Sequence, residues 1–150
     1  MKFSECKKLI ESIYMTLAVY TTNARDVTLM IVAHESGGGK HRRQVGAAKP
    51  ALGLGQMEEP TFNDVMKYSD RIKGYLKKMG YNPDTVKFSD LENDDTLAII
   101  FIRARLAMDL APLPSTPQAQ AEFCKRFWNA GGKATPEKYL TDYQRWKQND

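Results

Sequence analysis

A mainly α-helical, single-domain fold is what this 150-residue sequence predicts, on three observations. Apolar residues recur at helical spacing along nearly the whole chain, and no stretch alternates as a half-buried strand does. A hydrophobic content of 42% over this length suits one domain of ordinary size with its own core. No repeat, linker or low-complexity segment divides residues 1–150. With 27% charged residues, the chain is too apolar for a disordered tail and too mixed for a collagen or coiled-coil rod.

Each element has a local reason. Ser4 is a candidate N-cap for a first helix carrying Leu9, Ile10, Ile13, Tyr14 and Leu17. A second helix starts near Asn23 and runs through Val27 and Leu29–Val32 to about Glu35, where Gly37, Gly38 and Gly39 stop it. Residues 36–56 hold six of the ten glycines and no periodicity; so long a structureless stretch in a small domain is usually functional. Pro60 suits the first turn of the next helical stretch, which carries Val65, Met66, Ile72, Tyr75 and Leu76, with Gly80 as its stop and Asn82-Pro83-Asp84 as a turn.

Asp94 or Asp95 can cap the most apolar helix, expected over Leu97–Leu110 and ended by Pro112 and Pro114; apolar all round, it belongs at the centre of the core. Thr116-Pro117 opens a helix through Phe123 and Phe127 to Trp128, which Gly131-Gly132 breaks. Thr135-Pro136 opens the last, through Tyr139, Leu140, Tyr143 and Trp146.

The net charge of +4 is uneven: residues 1–50 carry +4, residues 51–100 carry −3 and residues 101–150 carry +3. Between Glu35 and Glu58 stand Lys40, Arg42, Arg43 and Lys49 with no acid, so the loop is expected to be electropositive and to favour polyanionic partners. Cys6 and Cys124 match no zinc or redox spacing; buried free thiols are expected, with a single bridge between them left open. Charges at Lys2, Glu5, Lys7, Lys8 and Glu11 interrupt any apolar leader, and the uncharged run from Ser12 to Ala24 is too short to span a bilayer. Synthesis in the cytoplasm without a signal peptide, and no membrane insertion, are the expectations.

Glu35 is the leading chemical candidate. It follows the apolar Met30-Ile31-Val32-Ala33 at a helix C-terminus, where burial and the negative end of the helix dipole both disfavour a carboxylate. A carboxyl kept protonated near neutral pH is what a general acid needs. His34-Glu35 begins like a zinc-protease motif, but Gly38 stands where the second histidine must be, so no metal site is expected. No serine or cysteine sits in a nucleophile elbow.

Glu35-Ser36, then Ala51 with Gly53-Leu54-Gly55-Gln56, then Pro60-Thr61, and finally Asn129-Ala130-Gly131 resemble, in order, the motifs of lytic transglycosylases and goose-type lysozymes. The likeness covers roughly residues 25–145. It departs from the pattern at Gly55, where the families usually have Met, at Glu59, which is an extra residue before Pro60, and at Trp128, which replaces Tyr. The Asn-containing motif of the central helix has no counterpart in Leu97–Leu110.

The resemblance implies a lysozyme-like helical domain, with little or no β-sheet, that cleaves the glycosidic bond between N-acetylmuramic acid and N-acetylglucosamine in peptidoglycan. Glu35 would protonate the glycosidic oxygen and then serve as the base that closes a 1,6-anhydro ring. A goose-type hydrolase would instead direct water, and Glu58 is the candidate second carboxylate, with a first-turn helix acid as its other reading. Ser36 would support Glu35 or the sugar, or simply end the helix. Gln56 and Asn129 would bind substrate through their amides, Gly131 would let backbone approach closely, and Trp128 and Tyr139 would offer aromatic faces. No cofactor is implied. The partner would be peptidoglycan strands, with anionic wall polymers attracted by the basic loop. The site of action would be the bacterial wall, reached by holin release or as part of a phage virion. The competing class is a basic helical module that grips nucleic acid through Lys40-His41-Arg42-Arg43 and Lys49.

Overall fold

Two helices that are apolar on nearly every face occupy the middle of the molecule in the computed structural model, which describes residues 1–150. One is α2 (Thr22–Glu35), which buries every residue from Val27 to Ala33. The other is α5 (Asp95–Leu106), which buries Leu97–Ile102, Ala104 and Leu106. A helix hydrophobic all round must be covered all round. The cover comes from α1 (Phe3–Thr16), α3 (Glu59–Tyr68), α4 (Ile72–Lys78), α6 (Pro117–Phe123) and α7 (Pro136–Gln148). α1, α3 and α4 pack on α5, whereas α1, α6 and α7 pack on α2, so one continuous core results.

The caps follow sequence chemistry at four helices. The side-chain oxygens of Thr21, Asp94, Thr116 and Thr135 accept from the backbone N–H groups of Ala24, Leu97, Ala119 and Lys138 at 3.0–3.3 Å. α1 is the exception to the expected Ser4 cap. It begins at Phe3, with Ser4 already inside its first turn, and the Ser4 N–H donates to Asp150 Oδ1 at 2.9 Å. A carboxylate from the far end of the chain therefore stands where a local cap was expected.

Two further boundaries differ. α5 stops at Leu106, short of Leu110, because the next bonds tighten to Met108 N–H on the Arg105 carbonyl and Asp109 N–H on that of Leu106. Leu110 is 96% exposed, so no core lies there to reward another turn. α6 does not run as α-helix to Trp128 either. After Phe123 the chain widens into a π turn over Cys124–Trp128, closed by the Asn129 N–H on the Cys124 carbonyl at 3.1 Å.

No sheet forms; the only β pairing is two isolated bridges, Arg43 with Leu52 and Leu52 with Met57. Cys6 and Cys124 are both free and buried, and burial pushes the Cys6 thiol up to about 12. No helix is long and apolar enough to cross a membrane.

The glycine-rich loop is packed rather than loose. Gly53 has φ +81°, and a Cβ there would lie 2.5 Å from the Leu91 carbonyl oxygen. Gly53→Ala is therefore expected to cost about 2–3 kcal/mol and to lower Tm by roughly 5–10 °C. Gly74, inside α4 with open space around it, is the matched control. Gly74→Ala should raise stability by about 0.5–1 kcal/mol in a thermal melt.

Candidate active site

Glu35 is the last residue of α2, and the helix carries its carboxyl to the edge of the core. Burial raises its pKa, the largest effect on the group. The His34 charge, the Tyr139 hydroxyl and the Asn129 amide oppose that rise, while the Glu58 charge adds to it. The balance leaves the carboxyl protonated to higher pH than an ordinary glutamate.

Tyr139 supplies the direct contact: its hydroxyl donates to Glu35 Oε2 at 3.0 Å. The side chain is fully buried, so the expectation that Tyr139 offers a face to sugar rings is corrected. Its ring packs on His34 with centroids 4.2 Å apart, and His34 Nδ1 lies 2.8 Å from Asp142 Oδ2, one turn further along α7. Burial and the neighbouring Glu35 carboxyl both raise the Tyr139 pKa, which keeps the hydroxyl a proton donor.

The π turn determines where Trp128 and Asn129 sit. Lys125 Nζ ties its end by donating to the Asn129 and Gly132 carbonyls at 2.9 and 2.7 Å. The Asn129 amide supports the charged form of Glu35, while its Oδ1 is buried without a partner in the chain and has an acceptor to offer. Gly132, not Gly131, is the glycine this arrangement needs: a Cβ at Gly132 would strike the Asn129 amide, whereas Gly131 faces open space.

Trp128 is half-buried and donates from Nε1 to the Gly55 carbonyl at 3.0 Å. A Cβ at Gly55 would meet Ile102 at 2.9 Å and Trp128 at 3.2 Å, which is why no methionine stands there. Gln56 follows with φ +47°, a left-handed conformation rare for a residue with a side chain, and its Nε2 holds the turn by donating to the Gly53 carbonyl at 3.0 Å. Gln56, Glu58, Phe127 and Trp128 then line one small recess with Arg105.

Ser36 turns away from any ligand. It is fully buried, its Oγ donates to the Val32 carbonyl and accepts from the Gly39 N–H, both at 3.1 Å, so it closes the helix end. Glu58 is exposed, immediately precedes α3 and makes no capping bond; it meets Glu35 only through its charge.

The loop expected to be electropositive is half neutralised. Arg42 forms a two-pronged pair with Asp95 at 2.9 and 2.8 Å, and Arg43 one with Glu92 at 3.2 and 2.7 Å. The acids come from the start of α5 and the segment before it, which sequence distance concealed. A cavity of about 590 Å3 lies between α1, the glycine turn and α7, with His34 and Asp142, but not Glu35, in its wall. No three His, Cys, Asp or Glu side chains converge as a metal-binding group.

No protein-family model, curated protein or solved structure matches this chain. The site therefore stands on its own geometry: one half-buried carboxyl with a donor hydroxyl from Tyr139 and the amide of Asn129 beside it.

The Tyr139 bond favours the charged carboxyl, so its loss must raise the Glu35 pKa further. In a carboxyl-carbon NMR titration, Glu35 should titrate above the ordinary glutamate range, and Tyr139→Phe should move the midpoint higher still. A carboxyl whose pKa is raised on folding adds stability at pH below its unfolded value and loses it as pH rises through the folded one. Glu35→Gln removes that dependence, so its Tm advantage over wild type should grow across that window. An unchanged advantage from pH 4 to 8, where ordinary and raised glutamates titrate, would contradict the burial of this group.

Proposed function

We propose that this protein cleaves the β-1,4 bond between N-acetylmuramic acid and N-acetylglucosamine in peptidoglycan by lytic transglycosylation, with Glu35 as general acid and then base. The Glu35 carboxyl carries the reading: it is half-buried at a helix end, hydrogen-bonded by Tyr139, and kept neutral above the usual range. A raised pKa is what a general acid needs. The ordered motifs around Glu35, Gln56 and Asn129, which resemble those of lytic transglycosylases, support the substrate assignment.

Glu35 gives its proton to the bridging oxygen as the bond to the muramic acid C1 breaks, and the leaving sugar departs as an alcohol. The carboxylate formed is the state that the Tyr139 hydroxyl and the Asn129 amide stabilise. It takes the proton of the muramic acid 6-hydroxyl while O6 bonds to C1. No water is consumed, and Glu35 returns to its protonated form.

A hydrolytic muramidase is the second reading, favoured by the Glu58 charge that reaches Glu35. The exposure of Glu58 and its lack of any bond toward Glu35 weigh toward a single working carboxyl. A nucleic-acid module draws less support, because Arg42 and Arg43 are already paired. The place of action in this proposal is the bacterial wall, reached through a holin or as part of a virion.

Digestion of purified peptidoglycan with mass spectrometry of the muropeptides tests the reading. Anhydro-muropeptides are expected, with Glu35→Gln lowering the rate by about 10²–10⁴-fold and Glu58→Gln keeping wild-type turnover. Reducing ends in place of anhydro ends would establish the hydrolase. An intact wall with wild-type protein, together with retardation of nucleic acid, would leave the binding module standing.

A further inference from the structure

Arg105, in the last turn of α5, is unlike the other partly buried arginines of the chain. Arg25 pairs with Glu11 and Asp26, Arg42 pairs with Asp95, and Arg103 donates to the Val19 carbonyl. The Arg105 guanidinium forms no ion pair. Its polar contact is Nη1 on Met108 Sδ at 3.9 Å, and its carbon centre lies over the Phe127 ring at 4.9 Å. An aromatic face orients a guanidinium without using its N–H groups, so the donor fork stays available.

That fork lines the recess made by Gln56, Glu58, Phe127 and Trp128, which is joined to Glu35 through the Glu58 charge and through Asn129, the residue after Trp128, whose amide supports the Glu35 carboxylate. The recess has a volume of about 50 Å3. A single water needs about 10–15 Å3 of such space, so the recess has room for a carboxylate-sized group. Glu58, the one acid in the lining, is exposed and leaves the guanidinium unpaired. A helix-end arginine has a bland use against the helix dipole, but that use does not require a place in the cleft.

We propose that Arg105 is a specificity-determining residue that binds a carboxylate of the substrate beside the scissile bond, with Phe127 holding the guanidinium and Gln56 and Trp128 bounding the recess. The proposal rests on the peptidoglycan reading, whose strands offer two carboxylate sources: the lactyl group of muramic acid, where free, and the acids of the stem peptide. A bidentate arginine–carboxylate contact is short, directional and lost when lysine replaces the fork.

The test is binding, which needs no cleavage. The Trp128 indole N–H resonance is followed while N-acetylglucosamine, N-acetylmuramic acid or a muramyl dipeptide with a free carboxylate is added to the intact protein. Wild type should bind at least one carboxylate-bearing probe about tenfold more tightly than N-acetylglucosamine. N-acetylmuramic acid as the tighter ligand identifies the lactyl source, and the dipeptide identifies the stem. In Arg105→Gln the preference should fall to about twofold or less, and Arg105→Lys should keep only part of it. Equal binding of all three by wild type, no response to any, or a preference that survives Arg105→Gln overturns the proposal. Wall that stays intact while the carboxylate preference holds would instead count against the cleavage reading alone.

Discussion

One carbonyl oxygen organises the surroundings of Glu35. The backbone oxygen of Val32 accepts from the Ser36 N–H at 3.3 Å and from the Gly38 N–H and Ser36 Oγ at 3.1 Å each. These bonds end α2 and send the chain back through three glycines with φ of +61°, +70° and +89°. The turn presses Gly38 so close to Trp146 that a Cβ would fall 2.7 Å from the indole. Because α2 is buried from Val27 to Ala33, ending it there leaves Glu35 half in the core and half exposed. The raised pKa, the Tyr139 bond and the approach of α7 all follow from that position.

The two departures of Gly55 and Trp128 from the resembled pattern are physically one feature. Trp128 donates to the Gly55 carbonyl, and Gly55 lies against both the indole and Ile102 of the central helix. A larger residue at position 55 would displace the indole, and without the indole the Gly55 carbonyl would lose its donor. The central helix fills the space with isoleucine and contributes Arg105 to the same wall. This part of the structure is thus built from three segments that fit one another.

Periodicity and caps made the helices legible, since Asp94, Thr116 and Thr135 act on neighbours three residues away; the Thr21 cap of α2 was not legible in this way, and that helix was expected to start near Asn23. The burial of Glu35 was legible for the same local reason, the apolar run before it. What was hidden depends on residues far apart in the chain. Asp150 caps α1, Asp95 and Glu92 neutralise Arg42 and Arg43, and the Tyr139 hydroxyl meets a carboxyl 104 positions away. Single-residue preferences place Tyr139 in the core, which is correct, but they do not say that its one polar atom would find Glu35. Arg105 was invisible because an arginine in a last helical turn is ordinary until the cleft beside it is seen.

The π turn also sets the register of everything that follows it. It holds one residue more than an α-helical turn in the same span, so it is equivalent to a single-codon insertion absorbed within a helix. Removing that residue would restore the α-helix and rotate everything after it by about 100° around the axis. Asn129 would swing away from Glu35, and Trp128 from Gly55, with helix content nearly unchanged. In this segment the register of the helix is what keeps Asn129 and Trp128 in place.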